Sequence, residues 1–369
     1  MNRPTRNIVC LACIFSGSFI PFLKAVGEDA DLQRFNYERV EMGVIFRLSV
    51  YGSDSGVANK AAEAAYARVR QLNGIFSDYE GTSEVRRLCD ASRPGRPVRV
   101  SDELFTVFEA SLRLSQETGG AFDVTVGPLT KLWRRARRRE VMPEPERLAS
   151  ERKLVGYQLV RLDCQAKTVE LLREGMRIDF GGIAKGYAAD EALRVLKEHG
   201  FSRALVDASG DIVAGDAPPG AEFWTVEIEA LRRRETSLDH TNLSDNGLNE
   251  RQPAPRLRIC NQAVATSGDA YQSVVIDGRR YSHIVDPMTG LGLNQRSSVT
   301  IIAPNGMMAD ALASAVSVLG PDAGIRLLEE QHRCGTEGYV MYAKGKSDEI
   351  RTVSSSGLVC FLADRAGNE

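Results

Sequence analysis

Three short segments concentrate charged or titratable side chains, and two of them place these side chains beside glycine, where the backbone can approach a ligand closely. The first reads DFGGIAKGYAAD from Asp179 to Asp190 and sets Lys185 in a glycine-rich turn before a predicted helix. Such a turn presents backbone amides and the positive end of the helix dipole, which together favour a phosphate, and its carbonyl groups could face a hard cation. The alternative interpretation is a glycine turn with a surface lysine.

The second segment, ADALAS, begins at Ala309 and opens another predicted helix. Asp310 and Ser314 are four residues apart, so their side chains project from one helix face. A carboxylate, a hydroxyl and a backbone carbonyl are the hard oxygen ligands that Mg²⁺ prefers. In the alternative interpretation, Asp310 is only a first-turn acid that complements the helix dipole.

The third segment, HIVDPMTG from His283, follows soon after ATSGD from Ala265. His283 precedes a Pro/Gly turn, which suits a general base or a ligand contact, although a lone histidine can also be structural. A fourth segment, GAFDVTVGP from Gly120, carries Asp123 and Thr125, which could hydrogen-bond to a ligand or could belong to a turn that leads into a strand.

Composition and missing motifs exclude several function classes. The 369 residues carry 47 Lys and Arg against 49 Asp and Glu, a net charge of -2, which argues against a nucleic-acid-binding protein. The sequence has no phosphate loop, dinucleotide-binding fingerprint, zinc-protease motif or nucleophile elbow. With four histidines, a His-rich catalytic metal centre is not expected. Of the seven cysteines, Cys10 and Cys13 lie in the predicted leader, and the other five include no C-x-x-C pair, so we expect most of these five to be buried apolar side chains.

Segments with strand-like alternation are interleaved along the chain with segments of helical spacing, and the resulting elements must position the motifs described above. This pattern indicates an α+β fold with mixed sheets and packed helices. Alternation predicts a strand over Glu41 to Tyr51, and helical spacing predicts a helix over Val57 to Phe76, interrupted near Asn73. Ser101 is predicted to cap a helix over Asp102 to Thr118. Further strands are predicted at Thr168 to Leu172, Ala204 to Asp207, Trp224 to Ala230, Leu257 to Ala265, Val274 to Asp277, Ser298 to Ala303, Tyr339 to Tyr342 and Leu358 to Leu362, and further helices at Ala309 to Leu319 and Asp322 to Gln331.

Two segments are expected to lie outside the folded core. Residues 1–27 have the basic start, apolar stretch and small residues of a signal peptide, which predicts export to the periplasm or to an anchored position outside the inner membrane. Residues 231–255 are polar and are predicted to form a mobile insertion within a single domain spanning 28–369.

The arginine cluster from Arg134 to Arg139 is interpreted as a solvated face, with binding of an anionic ligand as the alternative.

Eight pieces in order resemble the ApbE family of FAD:protein FMN transferases. The resemblance covers about residues 35 to 345, and eight motifs in register make it specific. The matching pieces are Glu41-Met42-Gly43, Phe76-Ser77-Asp78-Tyr79 with Ser83-Glu84, GAFDVTVGP from Gly120, DFGGIAKGYAAD from Asp179, SGDI from Ser209, ATSGD from Ala265, HIVDPMTG from His283 and ADALAS from Ala309.

The resemblance implies Mg²⁺-dependent transfer of the FMN half of FAD to a threonine of a target protein, with release of AMP. It implies a flavin site in the cleft between two sub-lobes and an acceptor in a membrane-associated redox subunit. His283 would be the histidine that transfer requires, and Mg²⁺ would be held by Gly182, Asp310 and Ser314. The flavin contacts that carry over from the family are Met42, Tyr79, Ala121, Phe122, Asp123, Asp179 and Lys185.

Three positions depart from the family pattern: Ser314 stands for a usual threonine, Ser209 for a usual glycine, and Cys89 for a usual asparagine. None removes an acid, the lysine or the histidine, so an active enzyme is expected. Two alternatives stay open at the level of sequence. One is an FAD pyrophosphatase that uses water as the acceptor, and the other is a non-catalytic FAD-binding accessory protein.

Overall fold

The computed structural model describes residues 31–228, 231, 255–268, 273–330, 335–344 and 349–363. The predicted signal peptide lies outside the described residues, and so does the predicted insertion except for Leu231 and Pro255. Within the described ranges, no helix combines the length and apolar character that crossing a bilayer requires.

The described strands form one large sheet and three small ones. Their bounds are β1 Gln33–Glu41, β2 Val44–Gly52, β3 Val98–Arg99, β4 Val160–Asp163, β5 Thr168–Leu171, β6 Ala204–Ala208, β7 Asp211–Ala214, β8 Trp224–Glu227, β9 Arg256–Ile259, β10 Ala263–Gly268, β11 Ser273–Ile276, β12 Arg279–Ser282, β13 Ser297–Ala303, β14 Glu337–Lys344 and β15 Glu349–Ser354. The large sheet has the order β1-β2-β6-β7-β10-β13-β14-β15, and its described pairs are all antiparallel. The α+β class predicted from the sequence is confirmed.

Eight described helices pack with these sheets. Their bounds are α1 Ser55–Phe76, α2 Glu84–Ala91, α3 Asp102–Glu117, α4 Gly127–Arg139, α5 Pro145–Arg152, α6 Ala184–Glu198, α7 Gly306–Leu319 and α8 Pro321–Glu330. The buried face of α1 repeats every three or four residues, as an amphipathic helix requires. The side chains of Asp54, Ser101 and Asn305 cap the first turns of α1, α3 and α7.

Helices α6 and α7 pack with their backbones nearly in contact, because two glycines meet where they cross. A Cβ atom added to Gly186 would lie 2.1 Å from the carbonyl oxygen of Gly306, and one added to Gly306 would lie 2.6 Å from that of Gly186. No larger side chain fits either position without moving a helix. This close approach brings the first turn of α6 beside the middle of α7.

Apolar side chains are buried in three clusters. The main core lies among α1, α3, α6, α7 and the large sheet, and a second cluster joins β8 and β9 to the sheet through Trp224 and Leu257. A third cluster, which we call the satellite core, connects α4 to β11, β12 and the segment that follows them. Its buried members are Leu129, Trp133, Ala136, Val274, Ile276, Tyr281 and Val285.

Several element boundaries differ from the sequence prediction. The strand predicted from Glu41 is the second arm of a hairpin, whose turn places Met42 and Gly43 at φ of 50° and 76°. The helix predicted to break near Asn73 continues to Phe76, because packing of α1 on the main core outweighs the cost of about 1 kcal/mol for Gly74.

Two further predictions are wrong in type or continuity. The predicted strand Leu257 to Ala265 is two strands with a turn between them, and the strand predicted at Leu358 to Leu362 falls in a 3₁₀ helix over Ser356–Phe361. Short apolar runs do not distinguish a strand from a buried helical turn.

Cysteine placement also differs from the prediction. Among the described cysteines, Cys89 is buried, Cys260 is half-buried, and Cys164 and Cys360 are exposed, and all four are free thiols. The expectation that most cysteines are buried is therefore wrong for the described part of the chain.

Candidate active site

A lysine and two aspartates form the charged centre of the site. Lys185, in the first turn of α6, places its Nζ 2.5 Å from Oδ2 of Asp211 and 3.5 Å from Oδ2 of Asp310. Asp211 opens β7 and is 4% exposed, and Asp310 lies on α7 and is 5% exposed. The α6–α7 crossing and the adjacent strand therefore bring together residues that are far apart in sequence.

Burial and charge fix the protonation of this centre. Burial opposes the charged ammonium of Lys185, but the carboxylates of Asp211 and Asp310 outweigh that effect and raise the pKa of the lysine above its ordinary value. Burial, and then the charge of Asp310, raise the pKa of Asp211 to about 7. Lys185 therefore carries a full positive charge at neutral pH.

Asp310 is more than a dipole-complementing acid. It lies beyond the first turn of α7, and its Oδ2 accepts a hydrogen bond from the backbone amide of Gly186 at 3.2 Å. The alternative interpretation, in which it only neutralises a helix end, does not explain a buried carboxylate that faces a lysine of another helix. Its surroundings match those of a ligand-binding acid.

Gly182 and Ser314 are in direct contact. A Cβ atom added to Gly182 would lie 2.5 Å from Ser314 Oγ and 3.1 Å from Ser314 Cβ, so only glycine leaves the hydroxyl in its present place. Ser314 follows Asp310 by one helical turn on α7. The three residues predicted to hold Mg²⁺ are thus neighbours around the first turn of α6.

This donor set fits a magnesium ion. A carboxylate, a hydroxyl and a turn carbonyl are all hard oxygen donors, which suit Mg²⁺ and leave positions for water or phosphate. In the described ranges, no group of three His, Cys, Asp or Glu side chains could hold a metal ion by itself, so a metal here would also need the hydroxyl and carbonyl donors.

The glycine-rich turn supplies fewer open amides than its sequence predicts. The amides of Ile183 and Ala184 both donate to the carbonyl of Phe180, and the amide of Gly181 donates to Asp179 Oδ1 at 2.8 Å. Residues 176–180, which precede the turn, are not a strand of a sheet. Positive charge for a phosphate therefore comes from Lys185 more than from this row of amides.

Asp123 organises the segment between α3 and α4. Its Oδ1 accepts hydrogen bonds from the amide and the hydroxyl of Thr125 at 2.8 and 2.6 Å, and its Oδ2 accepts from the amide of Tyr157 at 2.7 Å. Burial raises the pKa of Asp123, and these hydrogen bonds oppose that shift. The segment forms a 3₁₀ turn and then α4, so the alternative of a turn leading into a strand is wrong.

Ala121 and Phe122 precede this carboxylate and are both buried, at 7% and 6% exposure. The Phe122 ring reaches the glycine turn, with Cε2 3.7 Å from the Cβ position of Gly182. The predicted flavin segment and the predicted metal turn are therefore adjacent.

Asp179 and Tyr79 are joined by a residue that the sequence analysis left outside the site. Oδ2 of Asp179 accepts hydrogen bonds from Thr130 Oγ1 at 2.7 Å and from Arg134 Nη2 at 3.0 Å. The same guanidinium pairs with Asp78 and lies 4.2 Å from the centroid of the Tyr79 ring. The arginine cluster is therefore a solvated face only in part, because Arg134 and Arg137 are half-buried.

Met42 lies at the same end of the large sheet as Asp211. The turn before β7 holds Ser209 at φ 55°, and Ser209 Oγ donates to the carbonyl of Ile45 at 3.0 Å, beside the hairpin turn that carries Met42. The serine at this position therefore has room for its side chain and adds a hydrogen bond between two turns.

His283 directly follows β12 and is half-buried. The loop after it is anchored to α4, since Trp133 Nε1 donates to the carbonyl of Gly290 at 2.8 Å. The same loop faces the flavin segment, with Met288 Sδ 3.9 Å from the Cβ position of Gly120.

Asp286 has a structural place in this loop. Its Oδ1 accepts from the amide of Met288 and its Oδ2 from the hydroxyl of Thr289, each at 2.8 Å. Of the nearby acids, Asp269 lies outside the described residues. Asp286 is therefore engaged within its own turn, and the assignment of His283 as the base stays a prediction.

Two residues of the site, Asp211 and Arg134, were not predicted as site residues from the sequence. Asp211 lies in the SGDI segment that follows a strand, a placement that could have marked it as a site acid. Arg134 gave no such signal, because it stands among four other arginines and only the tertiary contacts separate it from them.

Comparison with known proteins agrees with this arrangement. The ApbE family model matches residues 42–339. An FAD:protein FMN transferase of Treponema pallidum (strain Nichols) is 30% identical over 331 residues, which are 88% of each chain. One from Escherichia coli (strain K12) is 28% identical over 326 residues, 87% of each chain.

Solved structures show the same fold. The flavin transferase ApbE from Vibrio cholerae superposes with a TM-score of 0.75 at 26% identity, over 90% of this chain and 100% of that one. The ApbE protein from Thermotoga maritima gives 0.75 at 27% identity over the same shares. The matched residues span most of the chain and include every segment of the site, and the chain therefore belongs to the ApbE family.

Proposed function

We propose that this protein transfers the FMN half of FAD to a threonine hydroxyl of an acceptor protein and releases AMP. The observation that carries the proposal is the buried group of Lys185, Asp211 and Asp310 beside Gly182 and Ser314. This group combines a cation for phosphate with hard oxygen donors for a metal. The names of the relatives, FAD:protein FMN transferases and flavin transferases, support the reaction.

Asp310, Ser314 and the carbonyl of Gly182 would hold Mg²⁺, which when bound neutralises charge on the pyrophosphate. Lys185 supplies a second positive charge that supports the leaving AMP phosphate. Asp211 keeps that ammonium charged and directed, because it pairs with Nζ at 2.5 Å. The lysine is therefore preorganised before the substrate arrives.

The remaining predicted residues would bind the flavin and accept the proton. Phe122 Cε2 lies 3.7 Å from the Cβ position of Gly182 in the glycine turn. Phe122 would bind the flavin there together with Tyr79, Ala121, Asp123 and Asp179, and Met42 would contact the flavin from the hairpin. His283 would take the proton from the attacking threonine hydroxyl. The loop that follows His283 contacts the flavin segment at Gly120, with Met288 Sδ 3.9 Å from the Cβ position of that glycine, so the acceptor threonine would approach beside this contact.

We further propose that the protein acts after export and that its acceptor is a membrane-associated redox subunit. The basic and then apolar order of residues 1–27 supports export. The acceptor itself is proposed from the resemblance to the family.

The experiment that tests the proposal incubates the mature protein with FAD, Mg²⁺ and a threonine-bearing acceptor peptide, followed by mass analysis. An FMN-sized adduct on the threonine is expected. Free FMN and AMP without an adduct would indicate a pyrophosphatase, and unchanged FAD would indicate a non-catalytic flavin-binding protein. Either result would contradict the transferase proposal.

His283→Ala should reduce transfer by roughly 10² to 10⁴-fold, the usual contribution of a general base. FAD affinity should be retained, because the proposed pyrophosphate contacts lie on other elements. The control is His199→Ala, which alters an exposed histidine at the C-terminal end of α6. Unchanged transfer by the His283 variant at saturating FAD would show that another group is the base.

A further inference from the structure

We propose that Arg134 is a positioning residue, which fixes the Tyr79 ring and the Asp179 carboxylate as one preorganised surface for the flavin ring. The proposal rests on the proposed function and deepens it. Arg134 is not among the residues that the family resemblance transfers. It is inferred from its contacts alone.

Arg134 contacts each part of this surface. Nη1 pairs with the carboxylate of Asp78, Nη2 lies 3.0 Å from Oδ2 of Asp179, and Cζ lies 4.2 Å from the centroid of the Tyr79 ring. The planar guanidinium can make in-plane hydrogen bonds while one of its faces covers an aromatic ring. One side chain therefore joins three residues from two separate segments.

Tyr79 needs such support because its side chain is largely open to solvent. The residue is 78% exposed and lies in the loop between α1 and α2. An exposed tyrosine would otherwise lose rotamer freedom when the flavin binds, which weakens binding. The guanidinium covers one ring face and leaves most of the tyrosine surface open for a stacked ligand.

The two carboxylates also depend on Arg134. Burial, and then the charge of Asp179, raise the pKa of Asp78, and Arg134 opposes this shift. Without the guanidinium the two carboxylates would repel each other and move apart. Oδ1 of Asp179 accepts from the amide of Gly181 at 2.8 Å, so Arg134 is also connected to the turn that carries Gly182.

The arrangement distinguishes Arg134 from its neighbours on α4. Arg135, Arg138 and Arg139 are exposed, whereas Arg134 is 23% exposed at its side chain. Burial opposes the charge of Arg134, yet Asp179 and Asp78 raise its pKa above the ordinary value. The charged guanidinium of Arg134 is therefore a fixed part of the surface that it forms with Tyr79 and Asp179, which suits a positioning role.

The test measures FAD binding by calorimetry and transfer kinetics for Arg134→Met and Arg134→Lys. We expect each variant to raise the Kd and the KM for FAD by about tenfold, with kcat at saturating FAD changed less than about threefold. Lysine keeps the charge but lacks the planar fork, so it should not restore affinity. The control Arg135→Met should bind FAD as the wild type does.

A double-mutant cycle with Tyr79→Ala isolates the positioning effect. In the Tyr79→Ala background, Arg134→Met should change the Kd by clearly less than tenfold, because only its contact with the Asp179 carboxylate remains. A tenfold effect in both backgrounds would overturn the proposal, since Arg134 would then act independently of Tyr79. If Arg134→Met fails to fold, Arg134→Lys takes its place in the same cycle.

Binding of FMN alone gives a spectroscopic readout, since stacking on tyrosine quenches flavin fluorescence. Quenching at saturation should be strong in the wild type, weaker in Arg134→Met and weakest in Tyr79→Ala. Equal quenching in the wild type and Arg134→Met would also overturn the proposal. A wild type that binds FAD but transfers no FMN would contradict only the transferase proposal, whereas one that binds no FAD would overturn both.

Discussion

Asp310 is the single charged ligand among the three residues proposed to hold Mg²⁺. Its removal would leave the Lys185–Asp211 ion pair in place at 2.5 Å. The charged centre would then consist of one cation and one carboxylate, which is a stable combination. The fold should therefore tolerate the loss of this acid better than the reaction does.

We predict that Asp310→Ala abolishes FMN transfer while its melting temperature stays within a few degrees of the wild type. The reason is that a hydroxyl and a carbonyl alone bind Mg²⁺ weakly. Transfer is measured over a Mg²⁺ titration, with the exposed Asp322 on α8 changed to Ala as the control. Wild-type rates at low Mg²⁺ in Asp310→Ala would refute the metal assignment.

A substitution at Gly182 tests the same proposed Mg²⁺ site, because this residue would contribute a backbone carbonyl. We predict that Gly182→Ala reduces transfer by at least about tenfold, because the added Cβ would lie 2.5 Å from Ser314 Oγ and must displace it. The cost in unfolding free energy should be about 1–3 kcal/mol, typical of overpacking. Gly74→Ala is the control, since a Cβ there meets nothing within 4 Å. Full activity with unchanged Mg²⁺ dependence in Gly182→Ala would separate Ser314 from the metal.

At the scale of elements, the link between α6 and α7 sets the geometry of the site. Asp190 on α6 accepts hydrogen bonds from the amides of Gly306 and Met307 at 2.7 and 2.9 Å, at the start of α7. This carboxylate caps a helix other than its own. It fixes the position of α7 along α6, and thereby the position of Asp310 beside Lys185.

Asp190 gives a pH-dependent prediction. Burial raises its pKa to about 6, from an ordinary 3.8. The folded state therefore binds this proton more tightly than the unfolded state, so the group's contribution to stability is full below about pH 4 and is lost as pH rises through 6. The linkage amounts to about 3 kcal/mol.

Asp190→Asn removes this titration, and its unfolding free energy is compared with that of the wild type by urea titration from pH 4 to pH 7. Over that range the wild type should lose about 2 kcal/mol relative to the variant, which is most of the full linkage. The control Glu198→Gln alters an acid of the same helix whose side chain is 59% exposed. A constant difference between wild type and Asp190→Asn would show that the buried pKa is not raised.

At the scale of the whole molecule, the satellite core holds the loop that follows His283 separately from the main core. Trp133 is 1% exposed, packs on Tyr281 with ring centroids 5.1 Å apart and donates to Gly290. The loop's attachment therefore depends on α4, the same helix that carries Arg134. Stability of the loop and stability of the sheet should be separable.

We predict that Trp133→Phe speeds hydrogen exchange of the amides in 284–293 and lowers transfer several-fold, while exchange in β10 and β13 stays unchanged. Phenylalanine keeps an aromatic ring but leaves the Gly290 carbonyl without its donor, which costs about 1–3 kcal/mol locally. The control is Trp224→Phe, which loses an equivalent bond to the carbonyl of Asp216 in another cluster. Slower transfer without faster loop exchange would contradict this account.

Much of this protein is readable from the sequence, because the signals involved are local. Alternation and helical spacing predicted most elements, and the cap at Ser101 marked a helix start that the structure confirms. Glycine-rich segments marked the site for the same reason, since a turn that must approach a ligand tolerates few other residues. Eight short segments in order, six of which contain glycine, were enough to indicate the ApbE family, which the comparisons show.

Tertiary structure alone decided which residues share the site. The sequence could not join Lys185 to Asp211 or separate Arg134 from Arg135, because those distinctions depend on which strand and helix lie next to each other. It also could not show that Asp286 is engaged within its own turn. Local propensity acts over a few residues, whereas burial and ion pairing act between segments that only the packed α6–α7 crossing and the antiparallel sheet bring together.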